Sequence, residues 1–467
     1  MDRFVIRLDR PDGTPVFRQI AERVRQGIAH GLLAPNDRLP SARSLAAQLG
    51  LARGTVDAAY ALLAGEGYVQ GRGPAGTVVA PGLRVPAVPP CPPVEKSVAA
   101  AARALPGPLP FRLGLPALDA FPRTLWSRLT VRAARRIAPA ALAYPDPAGL
   151  PVLREAIATY LRVARGIACD AHDVLITAGF QGALALITHA MLRPDDRVII
   201  EDPGYFLARD ALAQAGGTLV PSAVDAAGLD VALAASLAPA ARFAVVTPTH
   251  QAPMGVALSL QRRLSLLDWA ADTGAWVIED DYDSEFRYTG HPLPALKSLD
   301  LTGRVLYAGS FSKVLFPGLR LGYLVPPVSL QAPLLAAART LQAGLPVLEQ
   351  QVVAAFMTEG HFARHLRRMR SLYGSRRSAL AAALRAVFGS RLDLQLQAGG
   401  MHLLARLADG PSDAEMVRRA LDVGLGPNAL SAQSVAGHAG EGLLLGFTNV
   451  PEADALALTR RLAKAIR

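Results

Sequence analysis

The chain reads as two domains of different class: a small module of three helices and a two-stranded hairpin, then a larger α/β domain with a mostly parallel sheet and a smaller C-terminal α+β lobe. Three observations predict this. Residues 1–80 hold three short apolar-periodic stretches and a glycine-rich hairpin signal. Residues 81–110 concentrate proline, and beyond them short β-branched runs alternate with helical stretches. With 467 residues, the chain also exceeds the length over which one hydrophobic core keeps growing.

In the first segment, Phe17, Ile20, Val24 and Ile28 recur at helical spacing and Gly31 follows, predicting one amphipathic helix. Ser41 caps a second, short one, with Leu45, Ala46 and Leu49 on its apolar side and Gly50 at its end. A third runs over about 54–64, with Val56, Tyr60 and Leu63 inward, and Gly65 and Gly67 close it. Residues 68–70 and 77–79 flank a Gly-Arg-Gly-Pro-Ala-Gly tip and pair as a hairpin. Three helices and a hairpin compose a winged helix-turn-helix.

Prolines cluster in Val-Pro-Ala-Val-Pro-Pro-Cys-Pro-Pro and again in Pro-Gly-Pro-Leu-Pro, so 81–110 is expected to be an extended, semi-rigid linker. The second domain occupies 111–467. Its strand candidates are 174–177, 198–201, 243–247, 276–280 and 305–309, alternating with helices as a parallel sheet requires. From about Ala332 a long helical stretch leads to strand-like segments at 401–404 and 443–447, the smaller lobe.

Bulk properties narrow the function classes. The net charge of +11 favours a polyanionic partner, although residues 1–80 hold only ten arginines against seven acidic residues. Two cysteines, Cys91 and Cys169, form no disulfide framework and have no metal-ligand spacing, which fits a reducing cytoplasm and no metal site. No signal peptide or apolar run long enough to span a bilayer is present, so no membrane role is expected.

Only four lysines occur, and Lys313 lies inside the Gly/Ser-rich apolar segment 308–323. An amine condenses with a carbonyl and a guanidinium does not, which makes Lys313 the candidate for holding the aldehyde of pyridoxal phosphate. Such a site must also keep the ring nitrogen protonated, stack the ring and neutralise the phosphate. Asp280, at the carboxyl end of a candidate strand, is the expected pyridinium partner, with Tyr282 two residues on reaching the phenolic oxygen. Gly179, Phe180 and Gln181 join a strand to a helix, where backbone amides cradle a phosphate. Ser310 and Ser312 add hydroxyls, Arg320 a bidentate clamp, and Tyr205 a ring for stacking.

These segments, with Ala143-Tyr144-Pro145-Asp146-Pro147-Ala148-Gly149 and Thr247-Pro248-Thr249-His250-Gln251, resemble the fold-type I aminotransferase family in matching order from Phe111 to the C-terminus. The resemblance implies that Lys313 forms the internal aldimine and that Tyr144 reaches the phosphate of the other subunit of a homodimer. Two departures stand out. Ala252 precedes Pro253-Met254-Gly255 where the family has asparagine, leaving His250 or Gln251 as substitutes. Residues 442–446 lack the arginine that grips a substrate α-carboxylate, leaving Arg209 and Arg406 as replacements.

Residues 38–46, 50–56 and 65–69 resemble the GntR-type winged helix-turn-helix. In such a module Arg43, Ser44, Arg53 and Thr55 are placed for base or phosphate contacts, and Arg72 at the wing tip for the backbone or minor groove. Glycine at position 54 departs from the usual polar residue. The joined pair resembles the MocR/GabR subfamily of bacterial transcription regulators. That resemblance implies a pyridoxal-phosphate-dependent regulator, binding a repeated or palindromic operator, that senses an amine, amino acid or vitamer. The competing expectation is an active aminotransferase with an accessory DNA-binding module.

Overall fold

The computed structural model describes residues 6, 8, 13–73, 76–83, 108–291, 293–437 and 439–466. It divides into two compact units, Met1–Leu105 and Pro106–Arg467. Within the proline-rich stretch 81–110, residues 84–107 lie outside the described residues.

In the first unit, helix α1 (Val16–Ala29) buries Ile20, Val24 and Ile28 on one face. Helix α2 (Ala42–Leu49) begins where the Ser41 side chain accepts a hydrogen bond from the Ser44 amide at 3.1 Å and ends at Gly50, whose φ of +65° suits a residue without a Cβ. Helix α3 (Arg53–Gly65) buries Val56, Tyr60 and Leu63, and the Tyr60 hydroxyl donates to the Pro40 carbonyl at 2.8 Å. Strands β1 (Val69–Gly71) and β2 (Thr77–Val79) pair antiparallel with Val69 opposite Val79. Ile20, Val24, Leu45, Val56, Leu63, Val69 and Val79 share one core.

The second unit is built on an eight-stranded sheet. Its strands are β3 (Leu175–Thr177), β4 (Arg197–Asp202), β5 (Thr218–Asp225), β6 (Gly228–Leu229), β7 (Phe243–Val246), β8 (Trp276–Asp281), β9 (Val305–Ser310) and β10 (Gly322–Val325). Their order is β3-β10-β9-β8-β7-β4-β5-β6, parallel from β9 to β5, with β10 and β6 antiparallel to their neighbours. Alternate residues serve two cores: Val198 and Ile200 pack with Phe243 and Leu184 on one face, Ile199 with Ala244, Val277 and Trp269 on the other. Helices on both faces explain why these strands read as continuous apolar runs.

Helices Val328–Leu341, Val347–Thr358 and His361–Phe388 lead to an antiparallel sheet of β11 (Leu392–Gln395), β12 (His402–Leu407), β13 (Asn428–Ala429) and β14 (Leu443–Gly446), in the order β11-β12-β14-β13. Sequence patterning anticipated the central parallel strands, β12 and β14. It left out β5, β6, β10, β11 and β13, of which β5 carries Pro221 and β6 and β13 have two residues each.

Candidate functional site

Three strand ends bring the site together at the carboxyl edge of the parallel sheet. Strand β9 runs into Ser310, which caps the short helix Phe311–Val314, with its Oγ accepting from the Ser312 amide at 3.2 Å. That turn presents Lys313. Strand β8 ends in Asp280 and Asp281, both buried. Strand β3 turns through Gly179, at a φ of +72°, into helix Gly179–Met191, directing that helix's first amides at the same region. Gly322 of β10 lies so close to the Gly179 backbone that a Cβ there would collide with it.

A cavity of about 490 Å³ is lined by Lys313, Asp280, Tyr282, Tyr205, Phe180, Gln181, Ser310, Ser312 and Arg320. Nine of the eleven residues expected at the cofactor therefore meet around one space. Gly179 sits behind the Arg320 guanidinium, whose Nη2 donates to the Ala178 carbonyl at 3.2 Å. Tyr144 is elsewhere, 96% exposed.

The Lys313 Nζ donates to the Gly114 carbonyl at 3.1 Å. Burial lowers its pKa, against the pull of Asp280, so the amine leans toward its neutral, nucleophilic form. Burial, and next the neighbouring Asp281, push the Asp280 carboxyl well above the usual carboxylate range, while Lys313 opposes the shift. Asp280 Oδ1 is buried and has no hydrogen-bond partner. Such a carboxylate is costly unless a cation or donor faces it. A protonated pyridine nitrogen meets that requirement, so the residues fit pyridoxal phosphate.

The departures noted in the sequence resolve locally. His250 Nδ1 lies 2.8 Å from the Tyr282 hydroxyl and 3.0 Å from Asp283 Oδ2, while Ala252 lines the cavity. Gln251 turns away, its Nε2 donating to the Pro203 carbonyl at 2.8 Å and to Glu201 Oε2 at 3.2 Å. Arg406 donates to the Glu441 and Ala439 carbonyls, and Arg209 lies beside Asp210 at 3.4 Å; neither lines the cavity. Arg112, Gly114, His402 and Gln433 do, and sequence reading missed them. The one signal for the first two was their place in Phe111-Arg112-Leu113-Gly114 at the domain's start. His402 is held neutral, its pKa lowered to about 4 by burial and then by His250, and its Nε2 donates to the Pro253 carbonyl at 2.7 Å.

In the first unit Arg53 opens α3 with an exposed side chain 3.3 Å from Asp57, and Arg43 and Ser44 are exposed on the first turn of α2. Thr55 is half-buried. At the hairpin, Arg72 Nη2 donates to Asn36 Oδ1 at 3.0 Å. Arg38, overlooked in the sequence, bridges to Val78, and its guanidinium packs at Gly76.

Known proteins match both units. The family described as bacterial regulatory proteins, gntR family, matches residues 17–79, and aminotransferase class I and II matches residues 122–423. Over 466 residues the chain is 36% identical to the probable rhizopine catabolism regulatory protein MocR of Rhizobium meliloti, covering 95% of this chain and 92% of that relative. The chain belongs to the MocR subfamily of GntR-type regulators. A second relative of this MocR-type regulator is the pyridoxine biosynthesis transcriptional regulator PdxR of Corynebacterium glutamicum, 36% identical over 448 residues, 95% of this chain and 94% of that one. Kynurenine aminotransferase of Pyrococcus horikoshii superposes with a TM-score of 0.70 at 29% identity, over 80% of this chain and 93% of that one. The MocR-type chain is thus a DNA-binding transcriptional regulator whose larger domain has the fold-type I architecture and takes pyridoxal phosphate as its cofactor. Among the described residues no helix is long and apolar enough to cross a membrane.

Proposed function

We propose that this MocR-type regulator holds pyridoxal phosphate on Lys313 and that its signal is either displacement of the Lys313 amine by an amine or amino-acid effector or the binding of the vitamer pyridoxal phosphate itself to that amine. The observation that carries this reading is the half-buried Lys313 amine in one cavity with Asp280, whose Oδ1 has no partner. When bound, the cofactor supplies an aldehyde that condenses reversibly with primary amines and a ring that withdraws electrons.

The chain's own residues divide the rest of the work. Asp280 keeps a positive charge at the ring nitrogen, and Tyr282, held by His250, donates toward the ring oxygen. Tyr205 would stack on the ring, and Phe180, whose ring centroid lies 6.3 Å from that of Tyr205, would border the phosphate with Gln181. The Gly179 amide at the helix N-terminus, the Ser310 and Ser312 hydroxyls and the Arg320 guanidinium take the phosphate. Tyr144, exposed in the single chain, reaches the phosphate site of a second copy, which makes the working unit a homodimer.

Residues 1–80 act as the reader, 81–110 as linker and 111–467 as effector-binding and dimerising domain, in the cytoplasm. Arg43, Ser44, Arg53, Thr55 and Arg72 contact DNA, and two readers per dimer call for a repeated or palindromic operator. Effector and operator are coupled because each prefers one of two conformers. Footprinting upstream of its own and neighbouring genes, with cofactor-free protein, holoprotein and holoprotein plus candidate amines, tests this. The footprint or affinity should change by fivefold or more with cofactor or amine, and Lys313→Ala should bind DNA without responding; identical responses in both proteins would defeat the reading.

A further inference from the structure

Two neighbours of Tyr282 decide where its hydroxyl proton goes. His250, 6% exposed, sets Nδ1 2.8 Å from the Tyr282 hydroxyl and 3.0 Å from Asp283 Oδ2, so one ring nitrogen faces both groups. The ring has no room to move aside. A Cβ on Gly400 would collide with Cε1 and Nε2, and one on Gly255 would press on Nε2 at 3.0 Å. Gly400 is itself fixed, its amide donating to the Phe286 carbonyl at 2.8 Å and its carbonyl accepting from the Tyr288 hydroxyl at 2.7 Å.

Asp283 is 1% exposed, and among the described residues neither of its carboxylate oxygens has a well-aligned donor. A buried carboxylate in that position calls for a proton on the nitrogen beside it, which is His250 Nδ1. A ring nitrogen that carries a proton cannot accept another, so the Tyr282 hydroxyl finds no acceptor there. Burial, and next Asp283 and Asp280, push the Tyr282 pKa well above its ordinary value, so the hydroxyl keeps its proton. Tyr282 lines the cavity, which is where that proton is left to point. The other titratable groups around the pair are Asp281 and Glu201 near Tyr282, Lys313 and Arg320 on the cavity wall, and His402, held neutral, with its ring centroid 5.8 Å from that of His250.

We propose that Asp283 is a positioning residue: by fixing a proton on His250 Nδ1 it commits the Tyr282 hydroxyl to donating into the cavity, toward the phenolic oxygen of the cofactor. Neither Asp283 nor His250 lines the cavity, so both act through Tyr282. The inference rests on the Lys313 reading, because the oxygen belongs to the cofactor.

The test follows the visible absorbance of holoprotein against pH. A donor on the phenolic oxygen draws charge from it, so the nitrogen through which Lys313 holds the cofactor loses its proton at lower pH; removing the donor raises that midpoint. Tyr282→Phe should raise it by about one pH unit or more. Asp283→Asn should raise it too, because an amide donates to Nδ1 and lets the tyrosine proton turn to His250. Mere loss of a negative charge has the opposite sign, a lower midpoint. In a Tyr282→Phe background Asp283→Asn should raise it no further. A fall or no change with Asp283→Asn, or the same rise in both backgrounds, overturns the proposal. Should Asp283→Asn fail to fold, NMR of wild-type protein labelled with 15N-histidine reads the tautomer directly, the His250 signals being assigned by their loss in His250→Gln or His250→Asn. A proton on Nδ1 is expected, and a bare Nδ1 with the proton on Nε2 overturns the proposal. Failure of the underlying reading looks different: the wild type then shows no visible band dependent on Lys313, whatever the tautomer.

Discussion

The Lys313 Nζ donates to the Gly114 carbonyl at 3.1 Å, and Gly114 holds a φ of +67° with its Cα so close to that amine that a Cβ would collide with it. A residue near the start of the larger domain therefore sets the resting position of the reactive amine. It is glycine for two independent reasons, conformation and space.

Gly114→Ala is expected to cost about 1–2 kcal/mol of backbone strain and to displace the Lys313 amine. Cofactor affinity, measured by titrating cofactor-free protein and following the visible band, should fall at least tenfold. Unchanged affinity would show that the contact does not position Lys313.

Asp280 predicts a pH dependence. Its folded-state pKa is raised, so the folded chain retains a proton that the unfolded chain releases near pH 3.9. Folding stability of cofactor-free protein therefore falls as pH rises from about 4 through the raised pKa, by roughly 1.4 kcal/mol per pH unit while the two states differ by one proton. Glu201, pushed up to about 7 by burial with hydrogen bonds from Thr247 and Gln251 opposing, adds a loss of the same sign between pH 4.5 and 7. Asp280→Asn should flatten the profile of Tm against pH and raise Tm at neutral pH, while weakening cofactor binding. Parallel profiles for the two proteins would contradict this role for Asp280.

For the reader, Arg53→Ala should weaken operator binding about tenfold and reduce the slope of log affinity against log salt by about one if the contact is to phosphate, with the cofactor absorbance unchanged. Electrophoretic or anisotropy titrations at several salt concentrations decide it. An unchanged operator affinity would remove Arg53 from the interface.

The sequence was most legible where local chemistry and tertiary placement agree. Ser41, Gly50 and the Val69 and Val79 pairing announce their own caps and hairpin, and the doubly buried runs of β4, β7, β8 and β9 carry the parallel sheet. Lys313 stood out as one of four lysines, set in a Gly/Ser-rich apolar segment, and Asp280 and Tyr205 because strand ends in an open α/β sheet converge. Arg112, Gly114 and His402 escaped notice because their relation to Lys313 spans the chain: the Lys313–Gly114 hydrogen bond joins residues 199 apart in sequence. No periodicity encodes such a contact. Strand β10 escaped because Gly322 and Tyr323 answer to the close approach of Gly179 and to antiparallel pairing with β3 and β9, not to a propensity of their own.

The central claim, that Lys313 carries the cofactor, is tested most directly by borohydride reduction of the holoprotein followed by peptide mass spectrometry. With four lysines in the chain, the assignment is discrete. The account predicts a pyridoxyl group on the peptide containing Lys313 and none in Lys313→Ala; a stoichiometric adduct on Lys96, Lys297 or Lys464, or no adduct at all, would contradict it.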